Sequence, residues 1–285
     1  MSGFGIGGPP VAAVWPPQAP PTIRQVNGSE NENRVGTMLR EWRQRRRLSQ
    51  LDLALDAGIS SRHLSFVETG RSRPSPEMVL TLAQRLEVPL RERNRLLLAA
   101  GHAPRFHERS FEGPELAPVR DAVGRLLAGH EPYPALAVDT RWNLVASNSA
   151  LDLLLEGVAD ELLVPPANCM RMALHPDGLA PRILNLGEWR GHLLARLRRE
   201  AALRGDPVLD ELLAEVEQYP GDDGGQQPGT DIMVTLRLAS SAGELTLFST
   251  VTTFGTAADI TVAELSIEAF FPADEATAEA LRASR

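Results

Sequence analysis

The sequence predicts two domains: a small all-α bundle of five helices at residues 33–101, then a larger α+β domain at 118–273. Three observations predict this. Between Arg34 and Gly101, apolar residues recur at helical spacing in short blocks, each bounded by a capping or breaking residue. From His102 to Pro118 the periodicity stops (APRFHERSFEGPELAP), which marks a linker at 102–117. Beyond it come short alternating runs, then long helical runs, then long alternating runs, an α+β order.

Composition narrows the class. The chain has 285 residues, 43% of them hydrophobic, and a mean hydropathy of -0.16, ordinary for a globular protein. No apolar run approaches the ~18 residues of a membrane helix, so no membrane partner is expected. The N-terminus has neither a basic start nor an unbroken apolar core, so no secretory signal is expected. A single cysteine, Cys169, excludes an internal disulfide and a thiolate metal cluster, and the compartment reads as cytoplasmic. The net charge of -8 hides an asymmetry: Arg34 to Arg109 holds 15 Arg against 8 acidic residues, the rest 14 against 29. A basic module on an acidic body can still bind nucleic acid, because phosphate contacts are local and charges are screened within about 10 Å.

Taken in order, residues 1–32 are rich in Gly and Pro and read as a disordered tail, or as residues ahead of a later true start. Arg34–Arg47 is a helix with Val35, Met38, Leu39 and Trp42 as its buried stripe. Arg40, Arg43, Arg45, Arg46 and Arg47 crowd its other sides, as a solvated face or a phosphate-facing one. Ser49 can cap a second helix with Leu51, Leu53, Ala54 and Ala57 on its apolar face. Gly58 suits a left-handed turn, and Ile59 a buried plug. Ser60 or Ser61 can cap a third helix, with Leu64 and Val67 facing the core and Phe66 beside them; Gly70 ends it. This is the pattern of a DNA-reading helix-turn-helix; the plainer alternative is a helical hairpin. Ser75-Pro76 opens a fourth helix, Val88-Pro89 stops it, and Arg91–Ala100 is a fifth.

In the second domain, Pro118–Gly129 is a helix. PALAVDT and WNLVASN are strands around a turn at Asp139-Thr140-Arg141, and Asn148–Leu155 is a helix. Asn185–Arg204 and Asp206–Tyr219 are helices, and Gly221–Gly229 is a flexible loop. Three strands follow at Asp231–Leu238, Glu244–Phe254 and Thr261–Phe271, and 274–285 is a C-terminal tail.

The skeleton LSQ…LA…AGIS…H…S.VE.G…P resembles the XRE, or Cro-like phage-repressor, helix-turn-helix family, whose DNA-binding domain is lambda-repressor-like. The resemblance implies that Gln50 grips a phosphate, that Ser61, Arg62 and Ser65 face base edges, and that Arg71 and Arg73 contact backbone phosphates. Phe66 could meet a thymine methyl. Glu68 anchors the turn internally, and His63 either touches DNA or packs on the turn. The segments EPYPALAVDTRWN, LHPDGLAP, HLLARLRREA and LFSTVTTFGTAADITVAELSIEAFFPADE resemble the MmyB-like ligand-binding domain. That resemblance implies a bacterial regulator, a PAS-like sheet, and a pocket for a fatty acid or similar apolar small molecule. It implies a double-stranded DNA operator as partner, and a homodimer is expected because such readers use two half-sites.

Candidate ligand residues are Arg171, His175 and Phe248. Arg can bind a carboxylate bidentately, but Arg171 and His175 could equally form surface ion pairs. No metal-binding His spacing, P-loop or nucleophile elbow occurs, and a lone Cys is usually inert, so no enzyme is expected. The remaining alternative is a second domain that serves only dimerisation or protein interaction.

Overall fold

The structure, a computed structural model, describes residues 28–221 and 233–284. The expected disordered tail falls outside the described residues up to residue 27, and the loop at 221–229 falls outside them beyond Gly221. The first helix, α1 (Gly28–Arg45), begins six residues before the expected Arg34 and crosses the boundary placed at 33. Val35 and Leu39 are fully buried on it. It also lies tight on the backbone of the third helix. A Cβ on Gly36 would sit 2.4 Å from the Val67 carbonyl oxygen and 2.7 Å from that of Glu68. Gly36→Ala should therefore destabilise this domain by about 1–3 kcal/mol, the usual cost of overpacking, read as a lower urea midpoint at unchanged slope.

α2 (Gln50–Asp56) opens on a capping box. The Asp52 N–H donates to Ser49 Oγ, and the Ser49 N–H donates to the Asp52 carboxylate. Leu53 and Ala54 are buried, but Leu51 is 58% exposed and Leu55 71%. Leu51 thus leaves the apolar face expected of it, because it shares the outward face with Leu55 four residues on. Gly58 has φ 68°, the left-handed turn a Cβ would strain. Ile59 packs half-buried on the core. α3 (Ser61–Glu68) takes its cap from Ser60, whose Oγ accepts from the His63 N–H, and buries Leu64 and Val67 completely. α4 (Pro76–Arg85), capped by Ser75, and α5 (Leu90–Ala99) complete the bundle around Val79, Leu82, Leu86, Leu96 and Leu97.

The second domain opens with α6 (Ala117–Gly129), β1 (Ala135–Val138), β2 (Leu144–Ser147), α7 (Leu151–Leu155), α8 (Asp160–Leu163) and α9 (Cys169–Leu174). It continues with α10 (Leu186–Arg204), α11 (Pro207–Glu217), β3 (Leu236–Ser240), β4 (Gly243–Thr253), α12 (Ile260–Ala263), β5 (Ser266–Pro272) and α13 (Glu275–Ala283). The strands form one antiparallel sheet in the order β2-β1-β5-β4-β3. One face packs Ala135, Ala137 and Ile267 on Val123 and Leu127 of α6. The other, here the inner face, packs Leu136, Val138, Leu247 and Phe270 on Leu193, Leu194 and Leu197 of α10.

Three expectations are corrected here. β3 begins at Leu236, not Asp231. The strand expected from Thr261 is split: Asp259 accepts from the Thr261 N–H and caps α12, so β5 starts only at Ser266. The expected C-terminal tail is α13, capped by Asp274 and docked through Thr277, Ala278 and Leu281.

Candidate nucleic-acid interface and the domain junction

The α3 surface is built from caps and turns inward. Ser60 and Gly58 fix where α3 starts, leaving Ser61 and Arg62 exposed and Ser65 half-buried. The Arg62 guanidinium lies 5.3 Å from the centre of the Phe66 ring, which holds both side chains at the helix surface. Arg71 is exposed; its backbone N–H donates to the Phe66 carbonyl at 2.8 Å, and no hydrogen bond or ion pair engages its side chain among the described residues. Beneath them a buried ion pair fixes α3 to α1. Arg43 Nε and Nη2 donate to the two oxygens of Glu68 at 2.7 and 2.9 Å. Gln50 Nε2 donates to the same carboxylate at 2.8 Å. The Glu68 anchor expected from the sequence thus exists, and it holds the amide of Gln50, the residue expected at a phosphate, in an internal hydrogen bond.

Arg73 does not sit as expected. Its Nε donates to the Ala100 carbonyl at 2.9 Å and its Nη2 to that of Gly101, so it closes the carboxyl end of α5, where a cation is favoured. The basic run on α1 divides in the same way. Arg43 is buried, and Arg46 donates to the Leu86 and Glu87 carbonyls, while Arg40, Arg45 and Arg47 stay exposed.

Two of the candidate ligand residues, Arg171 and His175, meet around Tyr219, and the third, Phe248, lies apart. Arg171 forms a bidentate pair with Glu215 at 2.8 and 2.7 Å, which the Tyr219 hydroxyl joins. This is the surface ion pair. His175 packs edge-on against Tyr219, and its Nδ1 accepts from the Asp177 N–H. Phe248 stacks on Phe271 on the α6 face of the sheet, the opposite side from α9 and α10. These three residues therefore form no common site.

A cleft lies between the domains, bounded by Arg91, Glu92, Arg141, Asp206 and Glu264 and enclosing about 40 Å³. It is small and charged, unlike the apolar cavities of 300–1,000 Å³ that hold small molecules. Its centre is a clamp the sequence reading missed. Arg91 Nε and Nη2 donate to Glu264 at 2.9 and 2.8 Å, while Nη1 and Nη2 donate to Glu108 at 2.8 and 2.6 Å. Burial pushes the Glu92 carboxyl above its ordinary range, with Asp206 adding to the push and Arg95 and Arg91 opposing it. The linker is tied down as well. Asn94 holds the backbone of Arg105 and Phe106, the Ile260 N–H donates to the His107 carbonyl, and Arg109 pairs with Asp259. No local pattern pairs Arg91 with Glu264, 173 residues away in the sequence. Arg91→Met should raise limited proteolysis at 102–117 by about tenfold, the effect of ~1.4 kcal/mol on local opening.

Burial of the Cys169 thiol, with the Glu268 and Asp139 carboxylates nearby, pushes it well above its ordinary range, the reverse of an activated nucleophile. Among the described residues no group of three His, Cys, Asp or Glu could hold a metal ion, and no helix is long and apolar enough to cross a membrane.

A helix-turn-helix bundle clamped to an α+β domain defines a two-domain regulator. Comparison with known proteins agrees: residues 39–93 match the helix-turn-helix family, and 119–283 match the MmyB-like transcription regulator ligand binding domain. The second match spans more than half of the chain, and the chain belongs to that family. A Bacillus subtilis (strain 168) protein described as an uncharacterized HTH-type transcriptional regulator, RghRB, is 41% identical over 81 residues, 28% of this chain and 56% of that protein. The chain thus spans about half the length of this curated relative. Among solved structures, the clp gene regulator ClgR from Corynebacterium glutamicum is 20% identical, with 36% of this chain and 95% of that one covered and a TM-score of 0.22. An RNA-binding light-oxygen-voltage receptor is 13% identical, with 92% and 68% covered and a TM-score of 0.26. Both scores are too low to bear on fold or function.

Proposed function

We propose that this protein is a sequence-specific DNA-binding transcription regulator, with α3 entering the major groove and the second domain sensing a small molecule. The observation that carries the DNA reading is the exposed Arg62 on a capped, rigidly seated α3. Ser61, Arg62 and Ser65 face base edges, and Gln50 and Arg71 meet phosphates. Arg73 acts at one remove, by closing α5. The reader spans 28–101 and the sensor 117–283. The sheet order β2-β1-β5-β4-β3, with α10 across one face, supports a PAS-like sensor. An apolar, fatty-acid-like molecule is the class of effector the family suggests. Two copies reading paired half-sites, a cytoplasmic location and the absence of enzymatic activity complete the reading.

One observation favours a second reading, in which the second domain only mediates protein contacts: Arg171, His175 and Phe248 form no common site, and Arg171 is engaged by Glu215. Native mass spectrometry of protein purified from its host separates the two. A bound small molecule supports sensing; its absence, with operator affinity unaltered by a host lipid extract, supports the second reading.

On the DNA side, Arg62→Ala should cost about 1–3 kcal/mol at one base position if its fork reads guanine O6 and N7. Selection from random duplexes should show that position relaxed; unchanged base preference would sink the assignment. Arg71→Ala should instead weaken all sequences alike and reduce the salt slope by about one.

A further inference from the structure

The inner face of the sheet carries a buried charge in the middle of a central strand. Glu268 on β5 lies directly between Leu136 of β1 and Val251 of β4. Its Oε1 accepts from Arg196 Nη1 at 3.1 Å and from Ser249 Oγ at 2.9 Å. The Arg196 guanidinium in turn stacks 4.3 Å from the centre of the Trp142 ring. Trp142 is 4% exposed, and its Nε1–H is buried with no hydrogen-bond partner, alone in this among the buried side-chain polar atoms of the described residues. It is also held at φ 66°, a backbone that bulky residues rarely adopt. Neighbours impose that position: the Cys169 N–H donates to the Trp142 carbonyl, and Asn168 Nδ2 donates to that of Arg141. Just past Glu268 the inner face opens, with Val251 46% exposed and Thr253 exposed.

The ion pair accounts for Arg196 and Glu268, but not for the tryptophan. A buried donor is costly to leave without an acceptor, and strained residues held in place by their surroundings concentrate at binding sites. The charge balance then limits what can fill the place. Arg196 and Glu268 neutralise each other, and Glu200 lies 3.5 Å from Arg196. One turn earlier on α10, burial and Arg196 keep the His192 ring on the neutral side. A carboxylate would compete with Glu268 for Arg196 and strand a buried anion.

We propose that Trp142, Arg196, Glu268 and Ser249 form the polar subsite of the effector, and that it takes a neutral ligand presenting an amide or ester carbonyl oxygen to the Trp142 N–H. This rests on the sensing reading above and replaces the free carboxylate of a fatty acid with an uncharged head.

The test uses the full chain labelled with 15N at the indoles, the Trp142 signal being the one lost in Trp142→Phe. Octanamide and octanoate serve as probes matched in tail length. Octanamide is expected to move the Trp142 N–H signal downfield and to bind at least about tenfold more tightly than octanoate. Trp142→Phe should weaken octanamide by about fivefold, the worth of one net hydrogen bond. Glu268→Gln, which removes the buried counter-ion of Arg196 and leaves it only Glu200, should turn the preference toward octanoate. Tighter binding of octanoate by the unaltered chain would overturn the proposal. So would a Trp142 signal that ignores both probes, as a trapped water would leave it. A host molecule found by native mass spectrometry that leaves this signal unmoved would overturn the subsite and spare the sensing reading. If nothing at all binds, the sensing reading itself falls.

Discussion

Glu68→Ala should strongly destabilise the DNA-binding domain. The Glu68 side chain is almost wholly buried, and it receives two hydrogen bonds from Arg43 and one from Gln50. Removing it leaves the Arg43 guanidinium buried and without its counter-ion. Breaking a buried pair from one side costs about 3–5 kcal/mol, a large share of the 5–15 kcal/mol that holds a typical domain together. Urea unfolding followed by tryptophan fluorescence should show the reader's transition move to lower urea or vanish. Operator binding should go with it, because α3 loses its tie to α1. The double variant Arg43→Met, Glu68→Leu should recover most of the stability, since two apolar groups of similar volume leave no uncompensated charge. If the double variant is no more stable than the single one, the ion pair is not what seats α3.

The second large effect is expected at the other end of the chain. Stopping the protein after Ala273 removes α13, and with it Leu281, which sits in the main core, and Thr277, whose Oγ1 accepts from the Thr246 N–H of β4. Leu281→Ala alone should cost about 2–5 kcal/mol. The truncation should cost more and expose apolar surface, seen as dye binding and a lost thermal transition in the second domain. A truncated chain that melts like the full one would show α13 to be dispensable.

The two domains were not equally legible. The reader's helices announce themselves locally: Ser49, Gly58 and Ser75 mark starts and stops, and the buried stripe follows helical spacing. What failed there was tertiary. Arg71 and Arg73 look alike in sequence, yet one stays free and the other closes α5, because only the fold brings Ala100 beside Arg73. In the second domain, ITVAELSIEAFF alternates well enough to pass for one strand, and only the Asp259 cap betrays α12. EATAEALRA looked too short and polar for more than a tail, because its apolar stripe is just Ala278 and Leu281. Residue type alone points to Arg171, His175 and Phe248, and type does not say that Arg171 will meet Glu215. The Arg196–Glu268 pair joins residues 72 apart in sequence, and no local pattern encodes it.

The tied-down linker bears on operator geometry. Sixteen free residues would let each reader wander by roughly 20 Å, from about 5–6 Å per square root of residue number. With Arg91 clamped to Glu264 and the Ile260 N–H on the His107 carbonyl, that slack is gone. In a dimer, the separation between recognition helices would be set by protein rather than by thermal wandering. Operators would then have to keep their half-sites in phase on the same side of the duplex, and an insertion of half a helical turn would put the second half-site beyond reach.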